Sequence, residues 1–297
     1  MASLVENGKF LTAGAIAGAI SRTSTAPLER LKIFNQLQGI STDAARYNGI
    51  FRSLVLMYRE EGFRGYFKGN GTNCVKVVPA SAIRFLSFEN LKRALLLPGE
   101  QHLTTPRKLL AGSTAGVMAV AFTYPLDLIR TRLSTQTKVK HYNGIADAFR
   151  KIVASQGVRG LFRGVGTAMT SVAPFSALNF TAYEMLKEYG ATYFTTNSIF
   201  LSAGYGAASG SIAMTVLYPL DLLKRRLMVQ GHGGAQQKYR NGAHAAVTIV
   251  REEGVRGLYR GILPSYMKVI PTVSLTWLSY EVMKKFFGIQ VKKKGKE

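Results

Sequence analysis

The sequence predicts an all-α membrane protein made of three tandem repeats, each with two membrane-spanning helices and a short surface helix between them. A phrase of proline, leucine, an acid and a later base occurs three times, beginning at Pro27, Pro125 and Pro219. Three stretches long enough to cross a bilayer carry at most one charge each. These stretches are residues 11–28, 109–129 and 200–220.

Other phrases recur in the same order after each proline, which chance does not produce. The most regular of them begins with an acid or amide before a glycine, at Glu61, Gln156 and Glu253. Self-similarity over such a long unit indicates three copies of one module that is larger than a solenoid repeat. We therefore expect residues 1–297 to form one transmembrane domain. Its repeats cover residues 8–98, 106–190 and 198–288.

Each repeat is expected to begin with a long helix that runs past its proline phrase. These helices begin near Gly8, Pro106 and Ser198. Their early parts carry two glycines four residues apart, a spacing that lets membrane helices approach closely. The pairs are Gly14 and Gly18, Gly112 and Gly116, and Gly206 and Gly210. Three occurrences at matching positions favour close packing over ordinary tolerance of glycine.

A short segment in the middle of each repeat mixes apolar and basic residues, as a helix lying at a membrane surface does. These segments are residues 50–60, 145–154 and 243–252. A glycine-rich phrase with Arg and Lys follows each of them. Backbone amides at helix starts bind anions, so acidic lipid is one interpretation of these loops and a plain turn is the other.

Each proline phrase places one acid and one base on the same face of a helix, because residues three apart are neighbours there. The proline ahead of them kinks or breaks the helix. Three such helices can close a ring of ion pairs, so we interpret the phrase as a gate. Its charged residues are Glu29, Lys32, Asp127, Arg130, Asp221 and Lys224.

A second acid–base triplet follows the proline of the second long helix in every repeat. These helices start near Asn70, Val165 and Ile262 and contain Pro79, Pro174 and Pro271. The charged residues of the triplet are Glu89, Lys92, Glu184, Lys187, Glu281 and Lys284. Six membrane-spanning helices in three pairs would place one gate on each side of a bilayer.

The chain is strongly basic, with 39 Lys and Arg against 16 Asp and Glu. This imbalance predicts a polyanionic partner, which can be nucleic acid, anionic lipid or an anionic small molecule. A basic solubilising surface is the plainer interpretation. A nucleic-acid-binding protein would explain the charge but not the apolar segments with spaced glycines. We therefore expect a membrane and an anionic small molecule as partners, and no nucleic acid.

The sequence offers little for catalysis or metal binding. Cys74 is the only cysteine, and the four histidines lie far apart in the chain. This excludes an internal disulfide and argues against a metal site built from Cys or His. No nucleophile and base recur or converge. We expect no catalytic residues and no cofactor, and we do not expect an enzyme.

Positions that differ between the repeats are the candidates for binding an asymmetric substrate, since positions shared by all three serve the scaffold and the gates. Four cations lack full symmetry mates: Arg22, Lys76, Arg84 and Lys268. Unpaired cations inside a membrane are costly and usually functional, and Lys and Arg attract phosphate. Snorkelling is the alternative for the two lysines, although they lie turns away from the helix ends.

The second repeat carries uncharged residues where its neighbours carry cations. Ser171 matches Lys76 and Lys268, and Asn179 matches Arg84. Phe175 lies one residue after Pro174 and could stack on an adenine base, because aromatic rings accept any base. Packing against lipid or core is the alternative for Phe175.

These phrases resemble the signature of the mitochondrial carrier family, which is Pro-x-[Asp/Glu]-x-x-[Lys/Arg], then [Asp/Glu]-Gly and aromatic-[Lys/Arg]-Gly, in three tandem repeats. The match covers about residues 8–288. The resemblance implies a six-helix bundle with pseudo-threefold symmetry that works as a monomer by alternating access. It implies the inner mitochondrial membrane, with the short helices on the matrix side and cardiolipin at the glycine-rich loops. A mitochondrion-related organelle or a peroxisome is the alternative location.

The same resemblance implies the partners within each gate. On the matrix side it pairs Glu29 with Arg130, Asp127 with Lys224, and Asp221 with Lys32. Gln36 stands where the family places a glutamine brace under one such pair. On the cytoplasmic side it pairs Glu89 with Lys187, Glu184 with Lys284, and Glu281 with Lys92. Gln156 departs from the acid usual at its position and weakens one matrix-side loop contact.

The resemblance is greatest to carriers of adenine nucleotides, of ATP-Mg and phosphate, and of coenzyme A. It implies exchange of ATP, ADP and AMP, with or without phosphate, and coenzyme A or a related nucleotide derivative is the alternative substrate. The expected substrate-binding residues are Arg22, Lys76, Arg84, Ser171, Val172, Phe175, Asn179 and Lys268. Ser171 departs from the family pattern, since nucleotide carriers commonly have a glycine at this position.

Overall fold

The computed structural model describes residue 14 and residues 16–97, 100, 103–137, 139–193, 199–233 and 235–286. The side chains of residues 192, 193, 199, 200, 277, 280, 281, 284 and 285 lie outside this description. The described helices are α1 (16–24), α2 (Ala26–Leu37), α3 (Thr42–Ala45), α4 (Ile50–Glu61), α5 (Asn70–Leu95), α6 (Thr105–Thr135), α7 (Ile145–Gln156), α8 (Val165–Tyr193), α9 (Ile199–Val229), α10 (Gly242–Glu253) and α11 (Ile262–Phe286).

The second and third repeats each contain a long helix, a short helix, a 3₁₀ turn and a second long helix, and in the first repeat α1 and α2 replace the first long helix. The second long helices begin at Asn70, Val165 and Ile262, as the sequence predicts. The expected beginnings near Gly8 and Ser198 fall outside the described residues. α3 was not anticipated. Its N-cap is Ser41, whose hydroxyl accepts a hydrogen bond from the backbone N–H of Ala44 at 3.3 Å.

The prolines of the gate phrases act differently in the three repeats. In the first, the chain turns at Thr25, and Pro27 lies in the first turn of α2, where its missing N–H costs nothing. In the other two, Pro125 and Pro219 lie inside α6 and α9, which continue past them. The expected break is therefore present in the first repeat, whereas α6 and α9 are not broken at their prolines.

Two of the described helices are long and apolar enough to cross a membrane by length and composition, Thr105–Thr135 and Leu201–Val229. The prediction of six such helices is therefore supported in part. The remaining long helices carry ionised side chains, for example Lys76 and Arg84 on α5, which lower their mean hydropathy. Their outer faces are nevertheless apolar, since Phe85 is 65% exposed and Ile270 is 73% exposed. Large exposed apolar faces mark contact with lipid or with another protein.

The buried core lies where α2, α6 and α9 converge beyond their prolines and meet the short helices. It contains Leu31, Phe34, Leu128, Leu222 and Met228, each at most 1% exposed. The three first helices are therefore packed together at this end of the molecule.

The paired glycines behave asymmetrically. A Cβ atom at Gly116 on α6 would lie 2.7 Å from Cγ1 of Val172 on α8, which is a clash. A Cβ at Gly18 or Gly210 would make only ordinary contacts, at 4.0 and 3.8 Å, and one at Gly112 would meet nothing. Close packing is therefore required at Gly116, and the first glycine of a pair does not contribute to it.

We expect Gly116→Ala to lower the free energy of unfolding by about 1–3 kcal/mol, because Val172 is β-branched and cannot easily turn aside. Gly112→Ala, one turn earlier on the same helix, is the matched control and should change it little. Thermal unfolding of the purified protein in detergent measures both. Equal effects of the two substitutions would contradict the close approach of α6 and α8.

Three buried arginines join each repeat to the next. The Nε atoms of Arg30, Arg132 and Arg226 donate to the carbonyl oxygens of Ser134, Met228 and Gln36, at 2.8, 3.0 and 2.9 Å. Within its own repeat, each guanidinium also binds the acid or amide that begins the glycine-rich phrase after the short helix. These are Arg30 with Glu61 at 2.8 Å, Arg132 with Gln156 at 2.9 Å, and Arg226 with Glu253 at 2.8 Å. The three contacts close a ring around the core.

The first repeat builds this contact from a different position. Arg132 and Arg226 lie seven residues after their prolines, where the first repeat has Phe34. Arg30 lies one turn earlier, and its guanidinium is 5.0 Å from the centre of the Phe34 ring. In the third repeat, burial opposes ionisation of Glu253, but hydrogen bonding and attraction to Arg226 outweigh it and lower the pKa of this carboxyl.

We expect Gln156→Glu to raise the thermal midpoint of the protein. Arg132 would then face a carboxylate, and charge-assisted hydrogen bonds are about twice as strong as neutral ones, for a gain of about 1 kcal/mol. Glu253→Gln is the reverse change beside Arg226 and should lower the midpoint. A lower midpoint for Gln156→Glu would show that the amide is the better partner for Arg132.

Candidate substrate cavity and gates

Two of the three ion pairs expected in the matrix-side gate are present where α2, α6 and α9 converge. Nη2 of Arg130 lies 3.2 Å from a carboxylate oxygen of Glu29, and Nζ of Lys32 lies 2.8 Å from Asp221. The Nε2 amide of Gln36 lies 3.1 Å from the same oxygen of Asp221. Gln36 thus occupies the position expected of a brace, and the charged groups join α2 to both α6 and α9.

The third expected pair, Asp127 with Lys224, does not form in this structure. Asp127 instead binds Lys76 of α5, whose Nζ lies 2.6 Å from its carboxylate. Lys224 lies 3.6 Å from Asp221, one turn earlier on its own helix. The physical reason is competition, because a lysine that projects from the cavity side reaches Asp127 and satisfies its charge.

Lys268 of α11 makes the equivalent contact in the third repeat, where its ammonium binds Glu29. The two lysines expected to bind substrate are therefore paired here, each with an acid of the matrix-side gate. In the second repeat the equivalent Ser171 only donates to the carbonyl of Ala168 at 2.7 Å. An anion that attracted the two lysines would compete directly with two of the three gate acids.

The triplet at the other end of the helices differs from the first. Glu89, Lys92, Glu184 and Lys187 make no ion pair with one another in the part of the chain that the structure describes. Glu184 and Lys187 are exposed. The side chains of Glu281 and Lys284 lie outside the described residues. Ion pairs thus join the helices at the matrix-side gate, whereas Glu89, Lys92, Glu184 and Lys187 are not paired with one another.

An interior cavity with a volume of about 630 Å³ lies between α6, α8 and α9. Five of the eight expected substrate-binding residues line it, namely Arg84, Ser171, Val172, Phe175 and Asn179. Phe175 is 41% exposed, so its ring is not part of the packed core. The cavity combines aromatic rings and hydrogen-bonding groups with two cations, Arg84 and Lys32, and with the gate carboxylate Asp221.

A smaller cavity, of about 260 Å³, lies between the first and third repeats. Arg22 and Lys268 line it, together with Glu29 and Arg130 of the gate. Arg22 also donates to the side-chain oxygen of Asn73 at 3.3 Å. Hydroxyl groups complete the lining, from Ser21, Thr25, Thr272 and Thr276. Three cations against one carboxylate make this cavity suitable for an anion.

Two further depressions lie at the glycine-rich loops beyond the gate. One, of about 700 Å³, is lined by Lys68, Gly69 and Gly144, and the other, of about 730 Å³, by Arg163 and Gly242. Gly69 has φ +80°, and a Cβ there would lie 2.1 Å from the hydroxyl of Ser134, so only glycine fits. Burial lowers the pKa of Lys68 despite its contact with Glu61. Among the described residues, no three His, Cys, Asp or Glu side chains are grouped as a metal site.

The sequence was compared with those of known proteins. A family model described as mitochondrial carrier protein matches residues 5–98, 101–194 and 195–290. Three consecutive matches over nearly the whole chain decide the family. The chain belongs to the mitochondrial carrier family.

The chain is also similar to individual carriers from several organisms. A Dictyostelium discoideum protein named mitochondrial substrate carrier family protein A is 42% identical over 90% of the carrier and 82% of the relative. The Arabidopsis thaliana mitochondrial adenine nucleotide transporter ADNT1 is 36% identical over 95% and 88%. The human mitochondrial adenyl nucleotide antiporter SLC25A24 is 37% identical over 95% of the carrier but only 59% of the relative.

Sequence reasoning missed two features of the carrier's site. One is the pairing of Lys76 and Lys268 with gate acids, which no spacing rule predicts because it depends on side chains that reach between helices. The other is Arg225 on α9, which is 5% exposed and whose Nη1 donates to the hydroxyl of Thr131 at 2.5 Å. Alignment on the gate prolines would have found Arg225, since the equivalent residues of the other repeats are uncharged.

Proposed function

We propose that the carrier exchanges adenine nucleotides, namely ATP, ADP and AMP with or without phosphate, across the inner mitochondrial membrane by alternating access. The observation that carries the proposal is the pairing of Lys76 and Lys268 with Asp127 and Glu29 beside cavities that hold an aromatic ring and further cations. Two relatives with names that specify adenine or adenyl nucleotides support the same substrate class.

The two cavities suit the two chemical parts of a nucleotide. The larger offers Phe175 as a face for the base and Asn179 as a hydrogen-bonding group, with Arg84 nearby. The smaller offers Arg22 and Lys268, which suit phosphate oxygens. Lys76 lines neither cavity in this state, since its ammonium is held by Asp127. In this proposal Lys76 moves to the substrate when an anion enters.

Substrate binding and gate opening are coupled through these lysines. A nucleotide that draws Lys76 and Lys268 toward its phosphates removes one cation from Asp127 and one from Glu29. Asp221 keeps its contacts with Lys32 and Gln36, because the second repeat has Ser171 instead of a lysine. Two of the three acids of the matrix-side gate thereby lose a cation, which weakens the gate. The ion pairs of the cytoplasmic-side triplet can then form as the helices move.

The carrier is proposed to work as a monomer with six membrane-spanning helices in one domain. The glycine-rich loops are proposed to hold acidic lipid, with cardiolipin as the ligand and Lys68 and Arg163 as the basic groups. Their depressions are open and basic, which suits a headgroup with two phosphates.

A binding screen tests the substrate class. We expect ATP, ADP and AMP to raise the thermal midpoint of the purified carrier in detergent, since a ligand that binds only the folded state stabilises it. Coenzyme A, phosphate and malate are the comparison ligands. Stabilisation by malate with no effect of any nucleotide would contradict the proposal, and stabilisation by coenzyme A alone would select the alternative substrate.

A further inference from the structure

The position of Arg225 has no charged counterpart in the other two repeats. Six residues after the gate proline, the first repeat has Ile33, the second has Thr131 and the third has Arg225. All three side chains are buried, with exposures of 1%, 0% and 5%. The same interior position therefore holds an apolar group, a hydroxyl and a guanidinium, and the guanidinium requires an explanation because a buried charge is costly unless it is paired.

Arg225 connects all three repeats within the matrix-side gate. It lies on α9, its Nη1 donates to Thr131 on α6 at 2.5 Å, and its Nη2 is 3.8 Å from Glu29 on α2. Its charge is also attracted by Asp221 and Asp127. Its Nε is buried and has no hydrogen-bond partner among the described residues. A guanidinium with an unsatisfied N–H is held at this site by the surrounding carboxylates.

The arrangement around Glu29 shows what this extra cation can do. Glu29 contacts Arg130 at 3.2 Å, Arg225 at 3.8 Å and the ammonium of Lys268. When a substrate anion draws Lys268 away, Glu29 retains the other two cations. Among the described ion pairs, Asp127 is paired with Lys76 alone, so withdrawal of Lys76 leaves it without an ion-pair partner.

We propose that Arg225 is a positioning residue that holds Glu29 in the closed matrix-side gate and sets how strongly this closed state is favoured. The guanidinium acts on the gate acid and not on the substrate. The inference concerns the gate of the proposed function, and its first test requires no knowledge of the substrate.

A disulfide placed across the closed end reports the population of the closed state. Ser41 and Ala235 lie on loops of different repeats and form an isolated antiparallel bridge, with Gln236 N–H donating to the Ile40 carbonyl at 2.9 Å. Residues facing each other in this way are close enough for a disulfide. The reference protein is Ser41→Cys/Ala235→Cys with Cys74→Ser, oxidised in membranes with copper phenanthroline and assayed by gel mobility.

We expect Arg225→Gln to slow formation of this disulfide about fivefold, since residues in one ion-pair network couple by that order. Arg225→Lys should restore most of the rate, because it keeps the charge. Arg251→Gln, an exposed residue of α10, is the control and should leave the rate unchanged. An unchanged rate in Arg225→Gln would overturn the proposal, and so would equal slowing by Arg225→Lys.

The KM and Vmax of transport distinguish a positioning role of Arg225 from a purely structural one. In vesicles with the carrier in one orientation, Arg225→Gln should raise KM for ADP on the cytoplasmic side, because less carrier is closed to the matrix, with Vmax much less affected. A fall in Vmax with unchanged KM would contradict the positioning role. Absence of ADP transport in the carrier without the Arg225 change would contradict the nucleotide proposal instead, while the disulfide rates would still decide the role of Arg225.

Discussion

Replacing either Lys76 or Lys268 with alanine is expected to abolish nucleotide exchange while the protein stays folded in the membrane. Each lysine is a proposed phosphate contact and is also the partner of a gate acid, Asp127 or Glu29. Each variant loses a charge-assisted contact with phosphate, and Lys76→Ala also leaves Asp127 without its ion-pair partner, so we expect a fall in rate of about 100-fold or more. Uptake of labelled ADP by vesicles loaded with ADP measures it.

Matched variants separate the two roles of Lys76. Lys108→Ala removes an exposed lysine of α6 and should transport normally. In the double variant Lys76→Ala/Asp127→Asn, residue 127 is neutral, so no gate carboxylate is left without a partner. If Lys76 contacts substrate, this double variant stays inactive, whereas recovery of exchange would show that Lys76 acts only on the gate. Retained transport in both single lysine variants would place the binding site elsewhere.

Removing one partner of the Lys32–Asp221 pair is expected to cost more stability than removing both. The two atoms are 2.8 Å apart, and the side chains are 9% and 28% exposed. Lys32→Met removes the nearest cation from Asp221 and leaves it Gln36 and the more distant Lys224 and Arg225, and breaking a buried ion pair in this way costs about 3–5 kcal/mol. Lys32→Met/Asp221→Leu should recover most of that loss, since apolar replacement of both partners is often neutral.

The same variants test whether the pair is a gate or only a stabilising contact. A gate has to break and re-form during each cycle, so the double variant should regain its thermal midpoint without regaining ADP exchange. Transport at the normal rate in the stable double variant would contradict a gating role for this pair. Thermal unfolding and vesicle uptake, measured on the same preparations, give the two readouts.

Much of the fold follows from local sequence rules. The starts of α5, α8 and α11 agree with expectation because a glycine and a change in composition mark each of them. The charged residues of the matrix-side gate could be identified because an acid and a base three residues apart share a helix face. The family resemblance then supplied which helices face each other.

The remainder depends on distances between helices, which a sequence does not contain. Asp127 pairs with Lys76 and not with Lys224, because the side chain of Lys76 reaches across from α5. Nothing in the gate phrase indicates this contact. Arg30 makes the inter-repeat contact from one turn before Phe34, whereas Arg132 and Arg226 make it from the position equivalent to Phe34, and the sequence alone does not show that these contacts are equivalent. The clash that makes Gly116 necessary depends on how closely α6 and α8 pack.

Counter-exchange in reconstituted vesicles tests the central claim most directly. Vesicles containing the purified carrier are loaded with ADP, with malate or with buffer alone, and uptake of labelled ATP, ADP and AMP from outside is followed over time. Exchange predicts rapid uptake into ADP-loaded vesicles and little into the other two. No nucleotide uptake under any loading, together with active uptake of a carboxylate, would contradict the account.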